Sequence, residues 1–184
     1  MDEFNRYLSE AIRIRRSIQV YSEIFDSREA IDTLSAKSLE FTTVIKRSMH
    51  DEILISLARL FDSDGYKLNG EILEYLSQRN LVLQHEQFLD DRLNKLRNKT
   101  ADIWRDLRVK KYRDIKLAHN DKATLFNCEQ SPGHNVTFES ASELIDTSIA
   151  LVVGLMANSG QLSVKSDLNN IYKNVGSRFI ESIK

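Results

Sequence analysis

Apolar residues recur along this chain at spacings of three and four, the signature of helices that bury one face. Residues 2–25 carry Phe4, Leu8, Ala11, Ile12, Ile14, Ile18, Tyr21 and Phe25 on such a stripe, with Arg13, Arg15 and Arg16 on the other side. Ser27 ahead of Arg28 predicts a new helix start. The stripe then runs from Leu34 through Phe41, Val44, Ile45, Ile53, Leu54, Leu57 and Leu60 to Phe61, with a break near residues 35–38. Asp62-Ser-Asp-Gly65 is turn chemistry. Asn69-Gly-Glu-Ile72 predicts a short helix capped by Asn69, carrying Ile72, Leu73, Tyr75 and Leu76 to about Arg79, with Asn80 as its stop.

From about Leu83 to Asp121 the pattern is helical almost throughout, through Phe88, Leu93, Leu96, Ile103, Trp104, Leu107, Tyr112 and Ile115, with an offset expected at Asn98-Lys-Thr100. Residues 122–138 contain Pro132-Gly133 and no stripe, which predicts a loop with a short extended piece at 135–138. Ser140-Ala-Ser-Glu143 has capping-box spacing and opens an apolar helix ending near Asn158-Ser-Gly160, on which Ala150, Gly154 and Ala157 would admit a close neighbour. Ser166-Asp167 starts a last helix with Leu168, Ile171, Tyr172, Val175, Phe179 and Ile180. The expected fold class is all-α: one domain over residues 1–184, a helical bundle with a short helix and one longer loop near 122–139.

Composition agrees. One Pro and six Gly in 184 residues leave few helix breakers, and 41% hydrophobic residues suffice for one core. The single Cys128 excludes an intramolecular disulfide, and the charged start Met1-Asp-Glu-Phe-Asn-Arg6 lacks the apolar stretch of a signal peptide, so a cytoplasmic location is expected. The apolar run Ile149–Ala157 is about half of the roughly 20 residues that a membrane crossing requires, so it reads as a buried helix and no membrane is expected as a partner.

Charge changes the picture locally. The chain's net charge is −1, but Arg92 to Lys122 holds eleven Lys or Arg against four Asp, a net of +7. Such polarity suggests an anionic partner, RNA being the leading class, for one face. The candidate contacts are Arg108, Lys110, Lys111 and Lys116; a solvated helix face is the plain alternative. Within this segment lie Arg113 and His119. On a straight helix they stand about 120° apart in angle and about 9 Å apart along the axis. At a helix end, or where a second copy faces the first, a long Arg side chain still reaches a phosphate beside the His. His119 suits general acid or base work near neutral pH, and Arg113 suits holding a phosphoryl group. Asp114, Asn120 and Asp121 are the supporting candidates, Asp114 or Asp121 by orienting the imidazole or pairing with Arg113. Arg79 and His85 have the same spacing and compete for the role. His50 lies on an apolar stripe and reads as a core or interface histidine, while Trp104 and Tyr112 serve either base stacking or the core. Arg59 and Asp62 either support the site or form an ordinary helix-end ion pair. His119 and Asp121 have no third ligand at metal spacing, so neither a metal nor another cofactor is expected.

Arg113-Asp114-Ile-Lys-Leu-Ala-His119 resembles the Arg, polar residue, His pattern of the HEPN superfamily of small helical proteins, many of them ribonucleases of toxin, phage-defence and CRISPR systems. The longer string from Tyr112 to Asp121, and Ala58-Arg-Leu-Phe-Asp62, are similar to the AbiU-like abortive-infection branch. The resemblance implies a homodimer that brings two motifs together. It also implies RNA cleavage without metal by attack of the ribose 2′-hydroxyl on the adjacent phosphate and, for toxin members, a cognate antitoxin. A noncatalytic helical module that binds RNA, a nucleotide or a protein stays open beside this reading, as does a plain interaction scaffold.

Overall fold

The computed structural model describes residues 2–62, 65–117, 133–161 and 173–184. The first three helices are α1 (Glu3–Phe25), α2 (Arg28–Lys37) and α3 (Leu39–Phe61). Each begins where a short polar side chain accepts a hydrogen bond from an otherwise unpaired first-turn amide: Asp2 from Asn5, Ser27 from Ala30 and Ser38 from Phe41. The break expected near 35–38 is therefore a capped junction at Ser38. The turn expected at 62–65 lies partly outside the described residues.

The next stretch corrects the sequence expectation. Tyr66–Leu68 (β1) and Glu71–Leu73 (β2) pair antiparallel around Asn69-Gly70, both with positive φ (52° and 89°). An Asn-Gly pair fits the two left-handed positions of a tight hairpin better than a helix cap. The short helix comes later, as α4 (Gln78–Gln84), capped by Ser77, so Asn80 sits in its first turn instead of stopping it. After a 3-10 turn at Glu86–Phe88, α5 (Asp91–Leu107) runs unbroken through Asn98-Lys-Thr100. The interruption falls instead at Arg108, which takes the left-handed conformation (φ 54°), and is followed by α6 (Val109–Tyr112) and a π-helical turn at Arg113–Leu117.

The apolar helix α7 (Phe138–Asn158) starts one turn earlier than expected. Thr137 accepts from the Ser140 amide and the Ser140 hydroxyl accepts from the Thr137 amide, a reciprocal cap that makes Thr137 the start. Residues 133–137 form no strand. Helix α7 is long and apolar enough to cross a bilayer by length and composition. Its residues Leu144, Ile145, Leu151 and Leu155 are nonetheless fully enclosed by protein. The last helix is described as α8 (Val175–Ile183); its expected start at Ser166 lies outside the described residues.

Helix α1 packs on α7, α3 and α8, and α5 packs on α7. Tyr7, Leu8 and Ile14 of α1 meet Leu54 and Leu57 of α3, Leu93 of α5 and the inner face of α7 in the main core. A smaller cluster around Ile24, Phe25, Ala30, Leu34 and Ile180 joins the far end of α1 to α2 and α8. Tyr7 Oη meets Ser148 Oγ at 2.7 Å inside the main core, and burial pushes the Tyr7 hydroxyl pKa well above its usual value. Of the three small residues on α7 only Gly154 lies at a close approach, where Leu93 Cδ2 stands 2.3 Å from where a Cβ would be; Ala150 and Ala157 are exposed. The fold class is all-α, with one two-stranded hairpin among the described residues.

Candidate phosphate site at the end of α3

Arg113 opens the π turn, and its long side chain is drawn back to the end of α3. Its Nη1 donates to Asp62 Oδ2, and its Nε donates to Asp114 Oδ1 at 2.8 Å, with Nη2 on the same oxygen. Asp62 is the C-cap residue of α3, with a side chain 9% exposed, whereas the Asp114 side chain is 46% exposed. Burial makes a carboxylate depend on its partner, since removing the guanidinium would strand its charge away from water. The other oxygen, Asp62 Oδ1, is buried with no hydrogen-bond partner among the described residues. Buried acceptors are normally satisfied, which sets this oxygen apart from the other buried polar side-chain atoms described. Of the two roles open to Asp62, the structure favours support of Arg113, and Arg59 is not its partner.

The structure thus joins the two strings that the sequence singled out, Ala58–Asp62 and the segment beginning at Tyr112, through one ion pair. Because Arg113–Leu117 is a π turn, the angle reckoned on a straight α-helix does not apply beyond Tyr112. His119, Asn120 and Asp121 lie outside the described residues. Arg108, Lys110 and Lys111 are exposed on α6 and its start, and Lys116 is half-buried on the π turn. On α5, Arg97, Lys99 and Arg105 face Glu86, Glu143 and Asp102. On α6 and its start, the side chains of Arg108, Lys110 and Lys111 lie exposed close to Arg113 in sequence.

The competing pair separates by environment. His85 caps the end of α4 with its ring 4.4 Å from that of Phe4, which is itself fully buried, so His85 serves packing. Trp104 stacks on Phe61 at 5.4 Å, which likewise assigns it to the core.

A second polar cluster was not expected. His50 Nδ1 lies 3.1 Å from Asp51 Oδ1, His50 Nε2 lies 3.1 Å from His134 Nε2, and the Val136 amide donates to His134 Nδ1 at 3.2 Å. One assignment of protons satisfies all three contacts. His134, accepting at Nδ1, carries its proton on Nε2 and donates to His50 Nε2, and His50 donates from Nδ1 to Asp51. His134 is then neutral. Burial, and next the adjacent His50, hold the His134 pKa below the ordinary histidine value, against a smaller opposing pull from Asp51. Tyr112 meets the His134 ring edge-on at 4.7 Å. Asn135 next door caps α5, its amide donating to the Leu107 carbonyl at 3.0 Å and its side chain to the Asp106 carbonyl. The only sequence signal here was His50, a polar residue on an apolar stripe. Its partner is 84 residues away and leaves no local trace.

No curated protein and no solved structure matches the chain. The family model HEPN_AbiU2, described as AbiU2, matches residues 2–174. That span includes α1 through α7 and both strings joined at Asp62 and Arg113, so the chain belongs to the AbiU2 family of HEPN proteins.

Proposed function

We propose that the protein is a metal-independent endoribonuclease of HEPN type that serves in abortive infection or as a toxin. The observation that supports this reading is the Arg113–Asp62 pair, which anchors on a buried carboxylate the cation that the reading assigns to the phosphate. In this reading Arg113 stabilises the charge that builds on the phosphate, and His119 moves the proton. The 2′-oxygen attacks the neighbouring phosphorus as its proton leaves to a base, the bond to the 5′-oxygen breaks, and that oxygen takes a proton from an acid. The products are a cyclic phosphate and a free 5′-hydroxyl. Arg108, Lys110, Lys111 and Lys116 serve as phosphate contacts along the RNA, and a homodimer supplies the two motifs. The same reading has the protein act in the cytoplasm, and a cognate antitoxin is the expected partner of the toxin role.

The test is RNA cleavage by purified protein in EDTA. The wild type should cut and generate cyclic-phosphate ends, whereas His119→Ala and Arg113→Ala, checked for native helicity and melting, should not. Unchanged cleavage by folded His119→Ala protein contradicts the assignment. A second reading, a noncatalytic module that holds RNA, draws on the engagement of Arg113 by two carboxylates. It predicts RNA binding that weakens with salt and no cleavage by any variant.

A further inference from the structure

The guanidinium of Arg113 has two carboxylates around it, and they differ in what holds them there. Asp62 is nine-tenths buried and sits on the Nη1 side. Asp114 is nearly half exposed and covers the edge formed by Nε and Nη2. That edge presents two parallel N–H bonds, the fork by which Arg grips a phosphate. With both acids in place the local charge is −1, which repels an incoming anion. Moving Asp114 into water costs little, because an exposed ion pair is weak and its carboxylate regains hydration. Moving Asp62 would strand a buried charge.

We propose that Asp114 is a displaceable counter-ion: it occupies the phosphate-binding edge of Arg113 in the empty protein and yields that edge to an RNA phosphate, while Asp62 keeps the guanidinium in place. The inference rests on the ribonuclease reading for its substrate class, although the exchange of one anion for another does not depend on cleavage. Asp114 is then a specificity-determining residue that sets a threshold. A group that grips Arg113 with two oxygens displaces it, and a weakly bound monoanion does not. The consequence is that two neighbouring acids act with opposite signs on the same cation. Neutralising Asp114 frees the fork, and neutralising Asp62 loosens it.

The experiment measures binding of a 2′-O-methyl RNA oligonucleotide, which has no free 2′-hydroxyl and cannot be cut, by fluorescence anisotropy. Stabilisation by inorganic phosphate in thermal melts serves as the second probe. Asp114→Asn should bind both probes roughly two- to five-fold more tightly than the wild type, as expected for loss of one exposed competing charge. Asp62→Asn should bind more weakly. The gain should vanish when Asp114→Asn is combined with Arg113→Ala, which separates relief of Arg113 from a general change of net charge. On cleavable RNA, Asp114→Asn should lower KM, as Arg113-dependent tightening of substrate binding requires. No gain with either probe, or a gain that survives loss of Arg113, overturns the proposal. If cleavable RNA stays intact with every variant while the Arg113-dependent gain persists, the ribonuclease reading fails and the counter-ion role stands.

Discussion

At the scale of single residues, the protein combines one charged cluster that is open to exchange with one that is closed. Around Arg113 the number of acids exceeds the number of cations, so the group can trade a partner. Around His50 and His134 one assignment of protons satisfies all three contacts, and it leaves His134 Nδ1 as an acceptor. Protonating His134 at Nδ1 would turn that nitrogen against the Val136 amide. The groups facing this pair are Asp51 and Arg47 of α3, Tyr21 of α1 and Tyr112 of α6. Because the folded-state pKa of His134 lies below its ordinary value of 6.5, its contribution to stability is complete above that pH and is lost as the pH falls below it through the folded value. Melting temperature should therefore decline between pH 7 and 5. The decline should be smaller in His134→Gln, a comparison that thermal melts across this range will decide.

Among the elements, α1, α2, α3, α5 and α7 lie where the pattern marks helices, and each starts where a Ser, Thr or Asp accepts from a first-turn amide. What stayed hidden has a common physical cause. Asn69-Gly70 was read as a cap because two short flanking runs resemble the start of a helix, while hairpin geometry depends on φ, which the stripe does not report. The end of α5 at Arg108 has no breaker in the sequence, since an Arg stands in a conformation that glycine adopts more cheaply, and Asn135 from a distant segment caps the exposed carbonyls. The Asp62–Arg113 and His50–His134 pairs are long-range contacts of the same kind. Residue types at Asp62, Arg113 and Asp114 were legible as candidates, but their mutual geometry was not.

Helix α7 offers two quantitative checks on packing. Gly154→Ala places a methyl group against the enclosed Leu93 side chain and should cost about 1–3 kcal/mol of stability, read by denaturant unfolding. Ser148→Ala leaves the buried Tyr7 hydroxyl without its partner and should cost about 1–3 kcal/mol, whereas Tyr7→Phe combined with Ser148→Ala should recover part of that loss.

For the whole molecule, the polarity of charge survives folding in a narrower form. Helix α5 spends much of its basic character on acidic neighbours, in exposed pairs that add little stability. The proposed RNA contact is the exposed side of α6, which carries Lys111, with the π turn that holds Arg113. Lys111→Ala should weaken binding of RNA of any sequence and reduce the slope of log affinity against log salt by about one unit, as expected for one lost phosphate contact.

Arg113, held by Asp62, and His119 are proposed to form a nuclease site that needs no metal. The most direct measurement is the cleavage of RNA in EDTA by wild-type and His119→Ala proteins of equal helicity and melting temperature, with the ends of the products identified. The account predicts cyclic-phosphate termini from the wild type and none from the variant. Equal cleavage by the two proteins would contradict it.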